Sequence, residues 1–195
     1  MASTATPMGA EPVGTLSASG SFTGKVRHIK IANNYGTAIF YGDFVKLVSS
    51  GTVEKSAITT AVVAGTVGIF VGCAYTDPNT NQKTFNQQYP ASTAADDIVA
   101  YVVDDPKLVF QMQGDGSIAQ TGLGNNVKAI STAGSTSIGR SKNALDADSI
   151  AVTNTFPLRI IDFVDGPNSA VGDSFTDCIV TWAPGSHAYD VTLGV

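Results

Sequence analysis

The aspartates are the residues of this chain whose type and spacing come nearest to chemistry. Eight of the 14 fall in pairs: Asp96-Asp97, Asp104-Asp105, Asp146 with Asp148, and Asp162 with Asp165. Two carboxylates can divide the acid and base roles of glycoside hydrolysis, or ligate calcium through closely spaced oxygens. A calcium loop also needs a closing bidentate acid. Asp146 to Ser149 offers two ligands and no terminal Glu, so it reads as a solvated turn. Asp104-Asp105 stands before Pro106, where the ordinary work of a side-chain oxygen is to cap a turn. His28 and His187 are the two histidines, at opposite ends of the sequence and without metal-ligand spacing. Zinc takes three or four ligands, so His28 reads as a plain strand histidine. Cys73 and Cys178 can pair only if their strands are neighbours, and two buried free thiols are the favoured reading. Nucleophile-elbow, phosphate-loop and dinucleotide fingerprints are absent from the sequence. The expectation is of no catalytic residue, no cofactor and no metal: a protein that is not an enzyme.

The element that must position the best of these acids is Ile98 to Gln113. Ile98 to Val103 and Leu108 to Phe110 are β-branched and aromatic, which suits a pleated, half-buried surface. Pro106 fixes its own φ and drives Asp105 out of the α region, so no helix can run through. The stretch reads as strand, corner, strand, with Leu108, Phe110 and Met112 on one face and Gln111 and Gln113 on the other. Its strands either pair as a hairpin or pass, bending at Pro106, to a second sheet. With no partner group nearby in sequence, Asp104-Asp105-Pro106 is expected to be scaffold, a corner in a barrel wall.

Around it the signals are all β. Strand candidates are Val26 to Ala32, Thr37 to Val48 with an interruption at Gly42-Asp43, and Val62 to Tyr75. Three more follow at Ser149 to Thr153, Leu158 to Val164 and Phe175 to Trp182, separated by Gly, Pro, Asn and Asp clusters. Asn125 to Ile130 is a candidate short helical turn. Asp77 to Thr93 reads as a polar loop of about 17 residues, a length usually reserved for function or partner contact. The fold class is all-β, a single barrel or sandwich with at most a short helix. Met1 to Gly24 has neither helical nor strand period, so it is expected to build no element of its own. It is either disordered or an extended arm ordered by a partner, and the arm is preferred. The division is then an arm over 1–24 and a β-domain over 25–195.

Composition narrows the partners. Charged residues make up 14%, against roughly 25% in ordinary soluble domains. A surface so rich in Ala, Gly, Ser and Thr suits a β protein packed against neighbours, or an ordinary secreted β-domain. The net charge of −5, with its 11 Lys and Arg scattered, argues against nucleic acid. The N-terminal stretch lacks the apolar region of a secretory signal. Ala61 to Tyr75 is too short and too glycine-broken to span a membrane.

Several stretches, in order, resemble small structural proteins of tailed bacteriophages. They are P-M-G-A-E-P-V-G (Pro7 to Gly14), I-F-Y-G-D-F-V-K-L (Ile39 to Leu47), G-I-F-V-G (Gly68 to Gly72), Y-P-A-S-T-A (Tyr89 to Ala94) and Y-V-V-D-D-P-K-L-V-F-Q-M-Q (Tyr101 to Gln113). L-R-I-I-D-F-V-D-G-P-N-S-A-V-G-D (Leu158 to Asp173) and H-A-Y-D-V-T-L-G-V from His187 complete the series. The chain departs from the pattern at Ala10-Glu11, where an apolar residue and Arg are usual. The resemblance implies a capsid decoration, or cement, protein: a β-tulip-like barrel or sandwich on the capsid exterior of a virion. It would bind the shell built from the major capsid protein and assemble as a homotrimer at threefold or quasi-threefold positions. It carries over no catalytic residues, and Gly42-Asp43, Asp104-Asp105-Pro106 and Gly172-Asp173 become turn and bulge positions. Such a protein would act through its ends and long loop. The contact candidates are therefore Pro7, Met8, Pro12, Val13, Leu16 and Phe22 of the arm, Phe85 and Tyr89 of the loop, and His187 and Tyr189. The competing class is a tail or spike β-domain that binds host glycan, which would need Tyr75, Phe85, Tyr89 and Tyr189 exposed together.

Overall fold

The computed structural model describes residues 4–17, 20–59, 63–191 and 194. Two antiparallel sheets face each other as a sandwich, and they do not close into a barrel. One sheet is ordered β1 (Glu11–Thr15), β8 (Leu108–Gln113), β13 (Asp177–Trp182), β12 (Leu158–Phe163), β9 (Asn126–Val127). The other runs β2 (Arg27–Lys30), β7 (Val99–Val103), β5 (Thr66–Thr76), β3 (Phe44–Leu47), β4 (Val53–Lys55), with β6 (Lys83–Asn86) also on β5. A two-stranded ribbon joins β10 (Ala129–Ile130) to β11 (Ala144–Leu145). Helix is confined, among the described residues, to two 3₁₀ turns at Gln120–Gly122 and Ala147–Ser149.

The sheets meet through an aromatic group. Phe44 lies edge-on to Phe110 at 5.8 Å and to Trp182 at 5.5 Å, so β3 of one sheet holds β8 and β13 of the other. Leu108, Phe110 and Met112 are buried in this core while Gln111 and Gln113 are half-exposed, the alternation expected of a strand with one core face. The second core covers the far face of the β5 sheet, with Val45, Phe70, Cys73, Val102 and Tyr89 among its members. Sandwiched on both faces, β5 is buried along nearly its whole length, without the alternation of a strand that has one solvent face. The corner at Pro106 is resolved in favour of the second sheet: β7 and β8 do not pair, and the chain crosses between the two sheets there.

Several expectations need correction. Residues 11–15 do build an element: β1 pairs antiparallel with β8 of its own chain, Glu11 opposite Gln111 and Thr15 opposite Leu108. Pro12 fits because an edge strand need not use every N–H, and the ladder slips between Pro12 and Gly14, leaving Val13 as the extra residue of a bulge. The weak period of that stretch comes from this bulge. The 77–93 loop contains β6, which pairs with the end of β5. Thr37 to Val48 becomes a strand only from Phe44, after a turn at Gly42. Asn125 to Ile130 holds two short strands instead of a helical turn, and Ser149 to Thr153 makes an isolated bridge, Asn126 to Ala151, instead of a strand. β4 carries no strong signal in V-E-K and follows from its pairing with β3. Cys73 and Cys178 are free and lie in different cores. Burial pushes each thiol up to about 12, with the Asp177 charge adding to the effect at Cys178. Neither thiolate forms at neutral pH, and both cysteines are expected to resist thiol reagents in the native protein and to react together on unfolding.

One buried carboxylate locks the frame. Asp43 is fully buried, and its oxygens accept from Phe40 N–H (2.9 Å), Ser141 Oγ (2.7 Å) and Asn143 Nδ2 (3.1 Å). Lys55 Nζ lies 2.8 Å away as counter-ion. Beside it Ala10 N–H donates to Gly42 O (2.9 Å), and Gly42, at φ +87°, would press a Cβ to 2.8 Å from Met8 O. The N-terminal segment can cross here because glycine leaves the room and tolerates the dihedral. Removing one member of a buried pair strands the other, which typically costs about 3–5 kcal/mol. Asp43→Ala is therefore expected to lower the unfolding free energy by roughly that amount in urea titrations, with Lys55 as the residue left unsatisfied.

Candidate functional site

Much of the chain's remaining polarity gathers at the Asp104-Asp105-Pro106 corner. Asp104 follows β7, its side chain only 4% exposed, and Arg27 Nε of β2 pairs with its Oδ2. Tyr189 OH donates to the same oxygen at 3.3 Å, and the Arg27 guanidinium sits 5.5 Å from the Tyr189 ring centre. Burial and the Asp104 charge push the Tyr189 phenol up, so it stays a donor. Asp105 accepts from Thr15 Oγ1 (3.2 Å) and from Lys107 N–H (2.8 Å), the turn cap anticipated for a residue before proline. Both carboxylates are thus engaged within the fold: one paired with a cation and accepting from a phenol, the other holding the end of β1 to the turn.

Two hollows flank Pro106. One of about 270 Å³ is lined by Phe22, Lys25, Arg27, Asp104, Asp105 and Tyr189, with Thr15, Ser21, Thr23, Val103 and Pro106. The other, of about 280 Å³, lies under Leu16 between Pro106, Lys107, Trp182, Pro184 and Asp190. The corner therefore joins the start of the chain, β2, the crossing between sheets and the last described turn.

His187 anchors that last turn and is fully buried. Its Nε2 is 2.8 Å from Val67 O, and its Nδ1 accepts from Tyr189 N–H at 3.2 Å. Nδ1 as acceptor fixes the neutral tautomer with the proton on Nε2. Burial lowers the His187 pKa below its ordinary 6.5, against the opposing pull of the Val67 carbonyl and of Asp190, Asp104 and Asp105.

The sequence candidates separate accordingly. Leu16, Phe22 and Tyr189 come together at the corner. Pro7, Met8, Pro12 and Val13 lie further along the N-terminal segment, where Met8 and Val13 are 46% and 44% exposed. Phe85 stands alone on β6 at 72% exposure. Two candidates are corrected: Tyr89 and His187 are fully buried, Tyr89 in the second core with its hydroxyl on Tyr35 O (2.9 Å). Neither can meet a partner directly. Tyr75 is buried as well, so the aromatics expected of a glycan platform are not exposed together. Lys25 and Arg27 are functional candidates that sequence reasoning passed over. Their signal was local, four basic side chains among Lys25, Val26, Arg27, His28, Ile29 and Lys30 in a chain with 11 Lys and Arg.

No helix among the described residues is long and apolar enough to cross a membrane, and no group of three metal-ligating side chains occurs among them. Compared with known proteins, the chain matches no family model, no curated protein and no solved structure.

The histidine gives a pH dependence of definite sign. Its folded-state pKa is depressed, so the unfolded chain binds the proton more readily. Its contribution is complete above about pH 6.5 and is lost as pH falls toward the folded-state value. The slope is at most about 1.4 kcal/mol per pH unit. Urea unfolding between pH 7.5 and 5 should show stability falling with acid, and His187→Gln should flatten that part of the profile.

Proposed function

We propose that this is a structural virion protein, a capsid decoration protein that binds the outer surface of a shell built from the major capsid protein. On this reading it assembles as a homotrimer at threefold or quasi-threefold positions and has no enzymatic role. The observation that carries the reading is the apolar display of the N-terminal segment. Met8, Val13 and Leu16 are 46%, 44% and 55% exposed on a segment whose backbone is bound to its own sheet. Side chains held outward on a fixed backbone lose little chain entropy on docking, which favours a standing protein contact. The ordered resemblance of sequence stretches from Pro7 to the end of the chain supports the same class, and the low charge suits a surface packed against neighbours.

A protein that binds only the assembled shell stabilises it by mass action, without chemistry of its own. The expected arm ordered by a partner is thereby narrowed: β1 belongs to its own sheet, and on this reading the contacts belong to the side chains it presents. The test is binding of the purified protein to shells assembled from the cognate major capsid protein, followed by co-sedimentation and imaging. Saturable binding of many copies over the shell is expected. The triple change Met8→Asp, Val13→Asp and Leu16→Asp, all at exposed positions, should cut occupancy at least about tenfold with the folded state unchanged. Attachment at the tail alone, or occupancy unaffected by the triple change, would overturn the reading.

A further inference from the structure

β2 is an edge strand with one side unpartnered. It pairs with β7 alone, Arg27 opposite Val102 and Lys30 opposite Val99. Ile31 N–H donates to Ile98 O at 3.2 Å, which fixes the phase: residues 27, 29 and 31 turn their backbone groups toward β7. The N–H and C=O of Val26, His28 and Lys30 therefore face outward, and no described segment bonds them. Residues 23–28 and Lys30 are all exposed, so nothing described covers this edge.

The charge on the edge is one-sided. Lys25, Arg27 and Lys30 fall within six residues of a chain whose net charge is −5. Arg27 is matched by Asp104, while neither Lys25 nor Lys30 makes an ion pair with a described residue. Lysine on an edge is a known guard against self-pairing. Two copies of β2 brought edge to edge would set like charges opposite one another, so the same residues exclude a second copy of this strand as the occupant. They do not exclude an extended segment of opposite charge. Beside the start of the strand, the hollow of about 270 Å³ between Phe22, Pro106 and Tyr189 offers space for one anchoring side chain of such a segment.

We propose that the free edge of β2 captures an extended acidic segment of a partner protein by strand addition. The partner's backbone would bond Val26, His28 and Lys30, and its carboxylates would meet Lys25 and Lys30. The main chain supplies affinity and the lysines supply selectivity, the division usual in β-augmentation. This goes beyond the capsid reading and stands apart from it, since it concerns the chemistry of the captured segment and not where the protein sits.

The probe is a synthetic ten-residue peptide alternating Glu-Glu with Val-Thr, which places carboxylates on both faces of an added strand, followed by fluorescence anisotropy at low salt against the full chain. An otherwise identical peptide with Lys for Glu is the control. The acidic peptide is expected to bind and the basic one not. The exposed double change Lys25→Glu with Lys30→Glu should weaken binding by at least about tenfold. Acidic peptides N-methylated on one or the other set of alternate residues test the backbone without altering the protein. One set should lose binding and the other should retain it. Equal binding of both methylated peptides would reduce the contact to charge alone and overturn strand addition. Absence of acidic-peptide binding would overturn the proposal outright. Self-association in sedimentation velocity that the double change abolishes would replace the partner by a second copy, and would overturn it as well.

Discussion

A carboxylate without access to water holds this fold in register. Asp43 accepts from Phe40 and from the 141–143 segment and is neutralised by Lys55 on β4, so three parts of the chain converge on two oxygens. An ionised group is costly to bury unless its lone pairs and its charge are all answered, and here they are. The arrangement leaves little freedom nearby: Gly42 must keep a left-handed dihedral, and the N-terminal segment must pass within a hydrogen bond of it. Pro7 to Gly14 and Ile39 to Leu47, far apart in sequence, meet at this point. Gly9 and Ala10 pack on Gly42, and Ala10 is fully buried in the core between the sheets.

That lock decides what the rest of the N-terminal segment can do. With Gly9 and Ala10 fixed, β1 is delivered to the edge of β8, and its bulge turns Val13 outward. At its far end Thr15 is tied to Asp105, and Leu16 N–H donates to Lys107 O at 2.8 Å. The corner between the sheets is thereby held by β1 through Asp105 and by Arg27 and Tyr189 through Asp104. The pair of aspartates serves this junction: each carboxylate satisfies a neighbour that would otherwise be left loose.

Legibility followed the range of the interactions. Ile98 to Gln113 was plain from sequence because residue type, alternation and a proline all act locally, and only the choice of sheet was open. A proline can force a corner, but which sheet the next strand joins depends on Phe110 meeting Phe44 and Trp182, contacts across long stretches of chain. β1 was illegible because a bulge breaks its period, and β4 and β6 because three or four residues are too few to carry a pattern. Tyr89 and His187 were misplaced for one reason: each stands in a polar, turn-rich stretch, yet one polar atom of each meets a carbonyl distant in sequence, Tyr35 O for one and Val67 O for the other. Such a stretch reads as surface until the partner is known. The corner cluster was half legible, since its aspartates stood out while Arg27 and Tyr189, which complete it, lie 77 residues before and 85 after Asp104.

The distribution of open backbone matters as much as that of side chains. A sandwich that does not close must leave edges, and this one treats them differently. β1 is shielded by its proline, its bulge and the bridge from Gly14 to Ser21, so its outer edge is poorly suited to accept another strand. β2 has none of these devices and relies on charge. Proline and bulges obstruct every incoming strand, whereas lysines repel only some. Evolution of an edge toward general protection would favour the first solution. Keeping an unbent strand with alternate backbone groups free, and guarding it by lysine alone, is the arrangement that remains selective.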